Sequence, residues 1–377
     1  MNVSVSLAVL NARTELGRAF VEKMKRIGIS VVNQISLNDL LQTKPVGRSK
    51  NLEIVACSSL DDIQLCTDAN PLNCCVLISQ NLPAAETLHS AFALGCIDCW
   101  PMQLDESELL QRVTTVENRF AQITQQLEDS SQRLVDMQFE LEQDQLQGQQ
   151  IQRGMLPKQD KAIGGFRCSR WLAPSLILSG DFVDYFPLQD KYLACFLADV
   201  AGHGASSALL TVQLKNISWR LQQKFGSPSF NSPGAMLGWI NATLIEQAIE
   251  KHVAMFLGII DKNTNVLHYS TGAQFPPAML VDAQGEISVL EQSGKPLGLF
   301  PDAHYHSASI EFPLGAQLLV FSDGVLDCLA PTDLAEKEAA LLQAIGRSDG
   351  GAALWDMLRA QFDGVDDMSL MAVKRIS

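Results

Sequence analysis

Between Glu106 and Ile151 the chain carries no turn signal, and that stretch constrains what can lie on either side of it. It is rich in Gln, Glu and Leu. Val113, Val116, Phe120, Ile123, Leu127, Leu134, Met137, Leu141 and Ile151 fall on one alternating three–four register, with Ser130, Asp144 and Gly148 in the remaining positions. A 3.5-residue spacing held over several heptads predicts a long helix that pairs as a coiled coil; a solvated helix docked on a neighbour is the plainer alternative. The expectation is a homodimer joined through residues 113–151. The polar positions weaken the seam toward its C-terminal end, as suits a movable connector.

The regions on either side have different grammars. Residues 1–118 alternate short apolar runs (VSLAVL, VVNQI, EIVACS, CCVLIS) with helical patterns over Glu15–Ile27 and Glu86–Leu94 and a last helix from Asp105. That βα alternation predicts a parallel sheet with helices on both faces. Residues 152–377 instead string strand-like runs such as YLACFLADV, AMFLGIID and AQLLVFSDG across short Asp/Gly/Asn turns. Two helical stretches, roughly 206–225 and 233–250, interrupt them. Antiparallel sheet with interposed helices predicts an α/β sandwich. The overall class is α/β: domain 1–118, helical linker 106–151 overlapping its last helix, domain 152–377.

In the second domain apolar strands repeatedly deliver an aspartate, usually beside a glycine. The motifs are LSGDFVDYF (Asp181, Asp184), LADVAGHG (Asp199), VFSDGVLD (Asp323, Asp327) and VDDMSLMAV (Asp366, Asp367). Any one such residue is a turn aspartate. Four motifs at strand ends imply convergence, and convergent carboxylates repel unless a cation neutralises them. Hard oxygen donors without Cys or clustered His favour Mg²⁺ or Mn²⁺ over zinc. Two such ions about 3.5–4 Å apart hold and orient a water of lowered pKa for in-line attack on a phosphoester. A purely structural metal site remains the alternative.

The ordered set SGDFVD, DVAGHG, AMF, TGAQFPP, KPLG, SDGVLD and DDMS resembles the bacterial PPM (type 2C) serine/threonine phosphatases of the SpoIIE/RsbU-like subgroup. IQRGMLP at 151–157 resembles that subgroup's helix-to-domain junction. The resemblance covers about 152–377 and implies two or more Mn²⁺ or Mg²⁺ ions. It implies Asp181, Asp199, Asp323 and Asp366 as metal ligands acting through an activated water. The Val200 carbonyl is a further ligand, and Asp367 replaces Asp366 if the register slips by one. Gly180, Gly202 and Gly204 would shape the backbone. His203 stands behind the ligands, faces the substrate, or makes a structural hydrogen bond in its turn. Four positions depart from the family pattern: Ser179 for glycine, Val183 for an aromatic, Gln274 for histidine and Asp327 for glutamate. None is a proposed primary ligand.

The first domain resembles a response-regulator receiver, a flavodoxin-like fold, without its phosphorylation chemistry. Asn11-Ala12-Arg13 replaces the acidic pair after the first strand, Ser58 stands at the acceptor position, and Trp100 precedes Pro101 where lysine is usual. Ser79 does match the Ser/Thr position that ends the fourth strand. A pseudo-receiver that controls the second domain by contact is the expectation.

Composition narrows the partners. A net charge of −14 disfavours nucleic acid or an anionic membrane surface. No apolar run reaches membrane-spanning length, and the N-terminus lacks a basic n-region and cleavage site. Nine cysteines at irregular spacing read as buried thiols of a cytoplasmic protein; Cys96-x-x-Cys99 is the one tempting pair. The resemblance then implies a phosphorylated protein substrate of the anti-sigma-factor-antagonist type. A non-catalytic adaptor for a sigma factor or its regulators is the alternative, disfavoured because a binding module has no need of a costly acid cluster.

Overall fold

The computed structural model describes residues 5–10, 14–29, 31–35, 52–69, 74–202, 204–227, 230–247 and 251–377. They form two compact units, Met1–Met137 and Gln138–Ser377. The division falls inside one continuous helix, Glu106–Met155.

The N-terminal unit holds β1 (Val5–Leu10), α1 (Glu15–Arg26), β2 (Val31–Ile35), β3 (Leu52–Cys57), α2 (Leu60–Ala69), β4 (Cys74–Ser79), α3 (Ala85–Ala93), β5 (Cys96–Pro101) and the start of α4 (Glu106–Met155). The strands are parallel in the order β2-β1-β3-β4-β5. Alternate residues feed opposite cores, because strand side chains alternate faces. Ile54, Ala56, Val76 and Ile78 pack with Phe20, Met24 and Trp100 on one side. Val55, Cys57, Cys75 and Leu77 pack with Ile63 and Cys66 on the other. Both faces are covered, which is why these strands read as unbroken apolar runs.

Leu109 and Val113 of α4 are buried in the first of those cores. Farther along, Ile123, Leu127, Leu134, Met137 and Leu141 are all exposed. The chain therefore carries an apolar seam of regular 3.5-residue spacing that its described residues leave exposed.

The C-terminal unit contains β6 (Asp160–Ile163), β7 (Phe166–Ala173), β8 (Asp181–Leu188), β9 (Tyr192–Val200), α5 (Ala205–Lys224), α6 (Pro233–Glu246), β10 (Val253–Asp261) and β11 (Val266–Gly272). It continues with β12 (Met279–Val281), β13 (Ile287–Val289), β14 (Ala308–Glu311), β15 (Gln317–Phe321), a 3-10 turn (Asp323–Leu326), α7 (Leu334–Arg347), α8 (Gly351–Arg359) and β16 (Met368–Arg375). Two antiparallel sheets result, β14-β11-β10-β9-β8 and β13-β12-β15-β16-β7-β6. Their inner faces meet in a core that includes Val183, Leu197, Phe256, Val320 and Met371. Helices α5 and α6 cover the outer face of the first sheet through Leu214, Leu237 and Ile240 against Phe182 and Phe196. Helices α7 and α8 cover the second through Leu341 and Leu354 against Phe321 and Leu370. The unit is a four-layer α/β/β/α sandwich, and each buried Leu or Phe contributes about 1.5–3 kcal/mol to it. Among the described residues no helix is long and apolar enough to cross a membrane.

Candidate metal centre

Strand periodicity decides which acids meet. Along β8, Phe182 and Phe186 face the helices while Val183 and Tyr185 face the opposite sheet. Along β9, Phe196 and Ala198 face the helices and Leu197 faces the opposite sheet. Asp181 and Asp199 share the odd-numbered, inter-sheet face. The β8–β9 register sets them directly opposite each other. Asp184 has the other parity and turns toward α5, where Lys215 pairs with it at 2.8 Å. The second sheet delivers Asp323 just after β15 and Asp366 just before β16. Asp199, Asp323 and Asp366 line one cleft of about 320 Å³, together with Val200, Gly202 and His252.

Asp181 is 1 % exposed. Its Oδ2 accepts a 2.5 Å hydrogen bond from Ser369 Oγ, and its Oδ1 is buried with no hydrogen-bond partner. Burial first, then Asp199, pushes its carboxyl well above the usual range. Asp199 is pushed up to about 7, mainly by burial and then by Asp323 and Asp366. Asp323 reaches solvent at the cleft mouth, yet the surrounding protein still desolvates it, and with Asp366 nearby its carboxyl is raised too. Among the described residues, no lysine or arginine forms an ion pair with any of these four acids. Nor do any three of them bring one oxygen each within 4.8 Å of the others, so they form an open constellation rather than a closed single-ion cage.

An orphaned buried carboxylate oxygen facing uncompensated acids is what a divalent cation would satisfy. The donors are all oxygen, which fits Mg²⁺ or Mn²⁺.

The backbone around the acids is cut to the same end. A methyl group on Gly180 would come within 2.9 Å of the Val200 carbonyl oxygen and 3.1 Å of that of Gly202, so only glycine lets these segments close up. Gly202 and Gly204 have φ of 81° and 84°, the left-handed region that glycine enters without a Cβ clash. His203 lies outside the described residues. Lys251 donates from Nζ to Ala201 O at 2.8 Å and to Ser207 Oγ at 2.9 Å, gripping the same turn from the β10 side.

The adjacent acids Asp366 and Asp367 have separate fates. Asp367 is buried, and both its oxygens are occupied. Oδ1 accepts from Ser175 N and Ser175 Oγ, and Oδ2 accepts from Ser179 Oγ and Gly180 N. Asp366 is exposed to the cleft and accepts only the Asp367 amide, through Oδ1. Ser179, where the family pattern has glycine, thus supplies one of the ties on Asp367. Gln274, at the usual histidine position, is buried and donates to Phe321 O, bracing the strand that leads to Asp323. Asp327 pairs with Lys337 outside the cleft lining, and its charge still acts on Asp323.

Sequence reasoning missed Gln152. Near the end of α4, its Nε2 donates to Ser179 O at 2.7 Å and to Thr211 Oγ1 at 3.0 Å. Its Oε1 accepts from Ser179 N. Gln149 reinforces it with a 2.5 Å bond to Ile177 O. Gln152 is the second residue of the IQRGMLP junction, but composition alone does not separate it from the solvated glutamines before it.

In the N-terminal unit Ser58 follows β3 and donates from N and Oγ to Asp62 Oδ2, at 3.2 and 3.0 Å. Trp100 is buried, with its indole N–H on Asp98. Asn11, Ala12 and Arg13 lie outside the described residues.

Residues 189–376 match the family model "Stage II sporulation protein E (SpoIIE)". Protein IcfG of Synechocystis is 22% identical over 288 residues, covering 67% of this chain and 43% of that protein. Phosphoserine phosphatase RsbP of Bacillus subtilis is 30% identical over 156 residues, 40% of this chain and 37% of that one. The chain thus spans less than half the length of either relative. In fold, the SiaA-PP2C domain of Pseudomonas aeruginosa aligns at a TM-score of 0.52 and 18% identity, covering 64% of this chain and 98% of that domain. Sandwich, ordered motifs and family match agree: residues 189–376 form a SpoIIE-type PPM phosphatase domain.

Proposed function

We propose that this chain is a metal-dependent phosphoserine/phosphothreonine protein phosphatase of a bacterial partner-switching pathway, acting on a phosphorylated anti-sigma-factor antagonist in the cytoplasm. The observation that carries the reading is the meeting of Asp199, Asp323 and Asp366 in one cleft, with Asp181 buried opposite Asp199 in the strand register and its Oδ1 unpartnered. RsbP, whose name states a phosphoserine phosphatase, supports the substrate class.

In this reading Asp181, Asp199, Asp323, Asp366 and the Val200 carbonyl hold two Mn²⁺ or Mg²⁺ ions. Such ions supply, when bound, a water of lowered pKa and neutralisation of phosphoryl charge. The chain's own part is positioning. Ser369 fixes the rotamer of Asp181, and Asp367 ties the Ser175–Gly180 segment so that Asp181 enters β8 in register. Gly180 leaves room for the Val200 and Gly202 carbonyls to close on it. The open cleft mouth beside His252 and Pro296 receives the phosphoryl group of a protein side chain.

Residues 1–118 serve as a receiver-like control module. Its parallel strand order β2-β1-β3-β4-β5 is the flavodoxin-like order, which supports that assignment. Residues 113–151 pair two copies through the exposed seam Ile123, Leu127, Leu134, Met137 and Leu141, and residues 152–377 carry the chemistry. The test is Mn²⁺-dependent phosphate release from a phosphoserine protein. Asp199→Asn should lose it by more than about a hundredfold, since even groups behind metal ligands cost about 10–100-fold. Equal rates for the two proteins would refute the catalytic reading; a monomer by light scattering at micromolar concentration would refute the pairing.

A further inference from the structure

Six of the nine cysteines fall between residues 57 and 99, and the phosphatase chemistry uses none of them. Three come from three different elements. Cys57 ends β3, Cys66 lies in the middle of α2, and Cys75 is the second residue of β4. Register explains their meeting. Cys57 is opposite Leu77, so Cys75 sits two residues away on the neighbouring strand and on the same face. Cys66 follows Ile63 by three residues on the helix face that roofs that side of the sheet. All three are fully buried, and their Sγ atoms lie within 4.8 Å of one another.

We propose that Cys57, Cys66 and Cys75 form a binding site for a soft, thiophilic monovalent ion of the Cu(I) class within the N-terminal unit.

The donor set selects the ligand. Three sulfurs without imidazole or carboxylate in the group exclude hard cations, and soft thiolate donors favour Cu(I). Structural zinc almost always takes four ligands, and this group offers three. The wall is apolar (Ala8, Leu10, Val55, Ile63 and Leu77), which keeps water from a Cu(I) ion. Entry has a route through the same core. Cys96 and Cys99 are 5 % and 6 % exposed, and Cys96 is close enough to Cys75 for their charges to interact. They can pass a thiolate-bound ion inward by ligand exchange. Each sulfur–metal bond formed replaces an S–H bond, the proton leaves to solvent, and no electron is transferred. Hydrogen bonds with the neighbouring thiols and then burial hold Cys57 protonated well above the ordinary thiol range. Cys75, though its bond to Cys57 acts the other way, is raised as well, so binding competes with protons and weakens as pH falls.

Buried cysteine otherwise serves as a small hydrophobe. The C-terminal unit shows that use: Cys168 and Cys195 are fully buried in the inter-sheet core, with no third donor gathered around them among the described residues. A packing role needs a volume; it does not need three sulfurs aimed at one point.

The experiment uses the full chain, reduced and anaerobic, titrated with Cu(I) against the chelator bicinchoninate. Zn²⁺ is titrated in parallel against a chromogenic zinc chelator. Wild type should retain one Cu(I) per chain with a thiolate-to-metal ultraviolet band. Cys66→Ala and Cys75→Ala should each weaken retention by about a hundredfold or more, as loss of a direct ligand exceeds the effect of groups behind it. Cys195→Ala should retain the ion, and circular dichroism should show the variants folded. No retention by folded wild type, or retention unchanged in both folded variants, overturns the site. Tighter zinc than Cu(I) binding, each referred to its calibrated chelator, overturns the assignment to a soft monovalent ion.

Discussion

The strand ends of the two units treat charge in opposite ways. At the end of β3 the polar groups bond to near neighbours: Ser58 N and Oγ donate to Asp62, and Asp62 N donates to Ser59 Oγ. Within β5, Asp98 accepts from Trp100 Nε1 and Arg112 Nη1. At the start of β8, near the end of β9, just after β15 and just before β16, acids stand with no cationic partner among the described residues, and one buried oxygen has no partner of any kind. An acid with donors holds a loop; an acid without them holds free energy that a cation can release. The distinction runs inside the C-terminal unit too, where Asp184 and Asp327 carry lysines.

The sharpest way to break this contrast is at the adjacent pair. Asp366→Asn should reduce phosphatase activity by more than about a hundredfold, because even groups behind a ligand cost about 10–100-fold. It should leave thermal stability unchanged or slightly raised, since it removes like-charge repulsion. Asp367→Ala should do the reverse in stability. It orphans the buried Gly180 N, at roughly 1–3 kcal/mol, and the half-buried Ser175 N, at a smaller cost. Activity should fall about 10–100-fold through misplacement of Asp181. Thermal unfolding and kcat/KM measured on both variants check it. A destabilised Asp366→Asn beside a stable Asp367→Ala would reverse the roles assigned to them.

Much of this was legible beforehand. The heptad register, the βα alternation and the four aspartate motifs are local patterns, and local patterns survive in one dimension. Parity was legible and unread: Asp181 and Asp184 differ by three, so one strand cannot aim both at the same site. What the sequence concealed is long-range. Asp367 bonds to Ser175 and Gly180 across nearly two hundred residues, and no spacing rule separates it from Asp366. Gln152 was hidden for the same reason, as one glutamine among many. The thiol trio was hidden because only the strand register brings Cys57 to Cys75; the visible pair, Cys96-x-x-Cys99, is not the one that meets.

Gln152 offers the next-largest test. Gln152→Ala removes both bonds to the Ser179 peptide group, in a buried setting. A loss of about tenfold in Mn²⁺ affinity is expected, the lower end for a group that supports a ligand segment. Isothermal titration with Mn²⁺ measures it without reference to turnover. Unchanged affinity would show that Asp367 alone sets the segment.

A pH experiment tests whether the acids are unpaired. Asp199 has its folded pKa raised from an ordinary 3.8 to about 7. The folded state then binds its proton more tightly than the unfolded state does. Stability from this group is full below pH ~4 and is lost as pH rises through about 7. With metal chelated, the melting temperature of the C-terminal unit should therefore decline across that window. Saturating Mn²⁺ should raise it most at the high end, where the carboxylates are ionised and free to bind. A chelated protein that grows more stable from pH 4 to 7 would mean the acids have partners after all.

The smallest effect belongs to the closed side of the comparison. Ser58→Ala removes one hydrogen bond of 3.0 Å at a half-buried site. The expected cost is about 0.5–1.5 kcal/mol, the ordinary net value of such a bond. Ser58→Asp should cost more than Ser58→Ala, because it sets a second carboxylate against Asp62 where the hydroxyl had donated. At a separation of about 4 Å, repulsion in a water-like setting is about 1 kcal/mol, and it grows with burial. Denaturant unfolding of the three proteins, followed by the fluorescence of the buried Trp100, reads the difference in the right unit. If Ser58→Asp proved the more stable variant, the end of β3 would be accommodating negative charge. The contrast between a satisfied and an unsatisfied strand end would then fail on its quiet side.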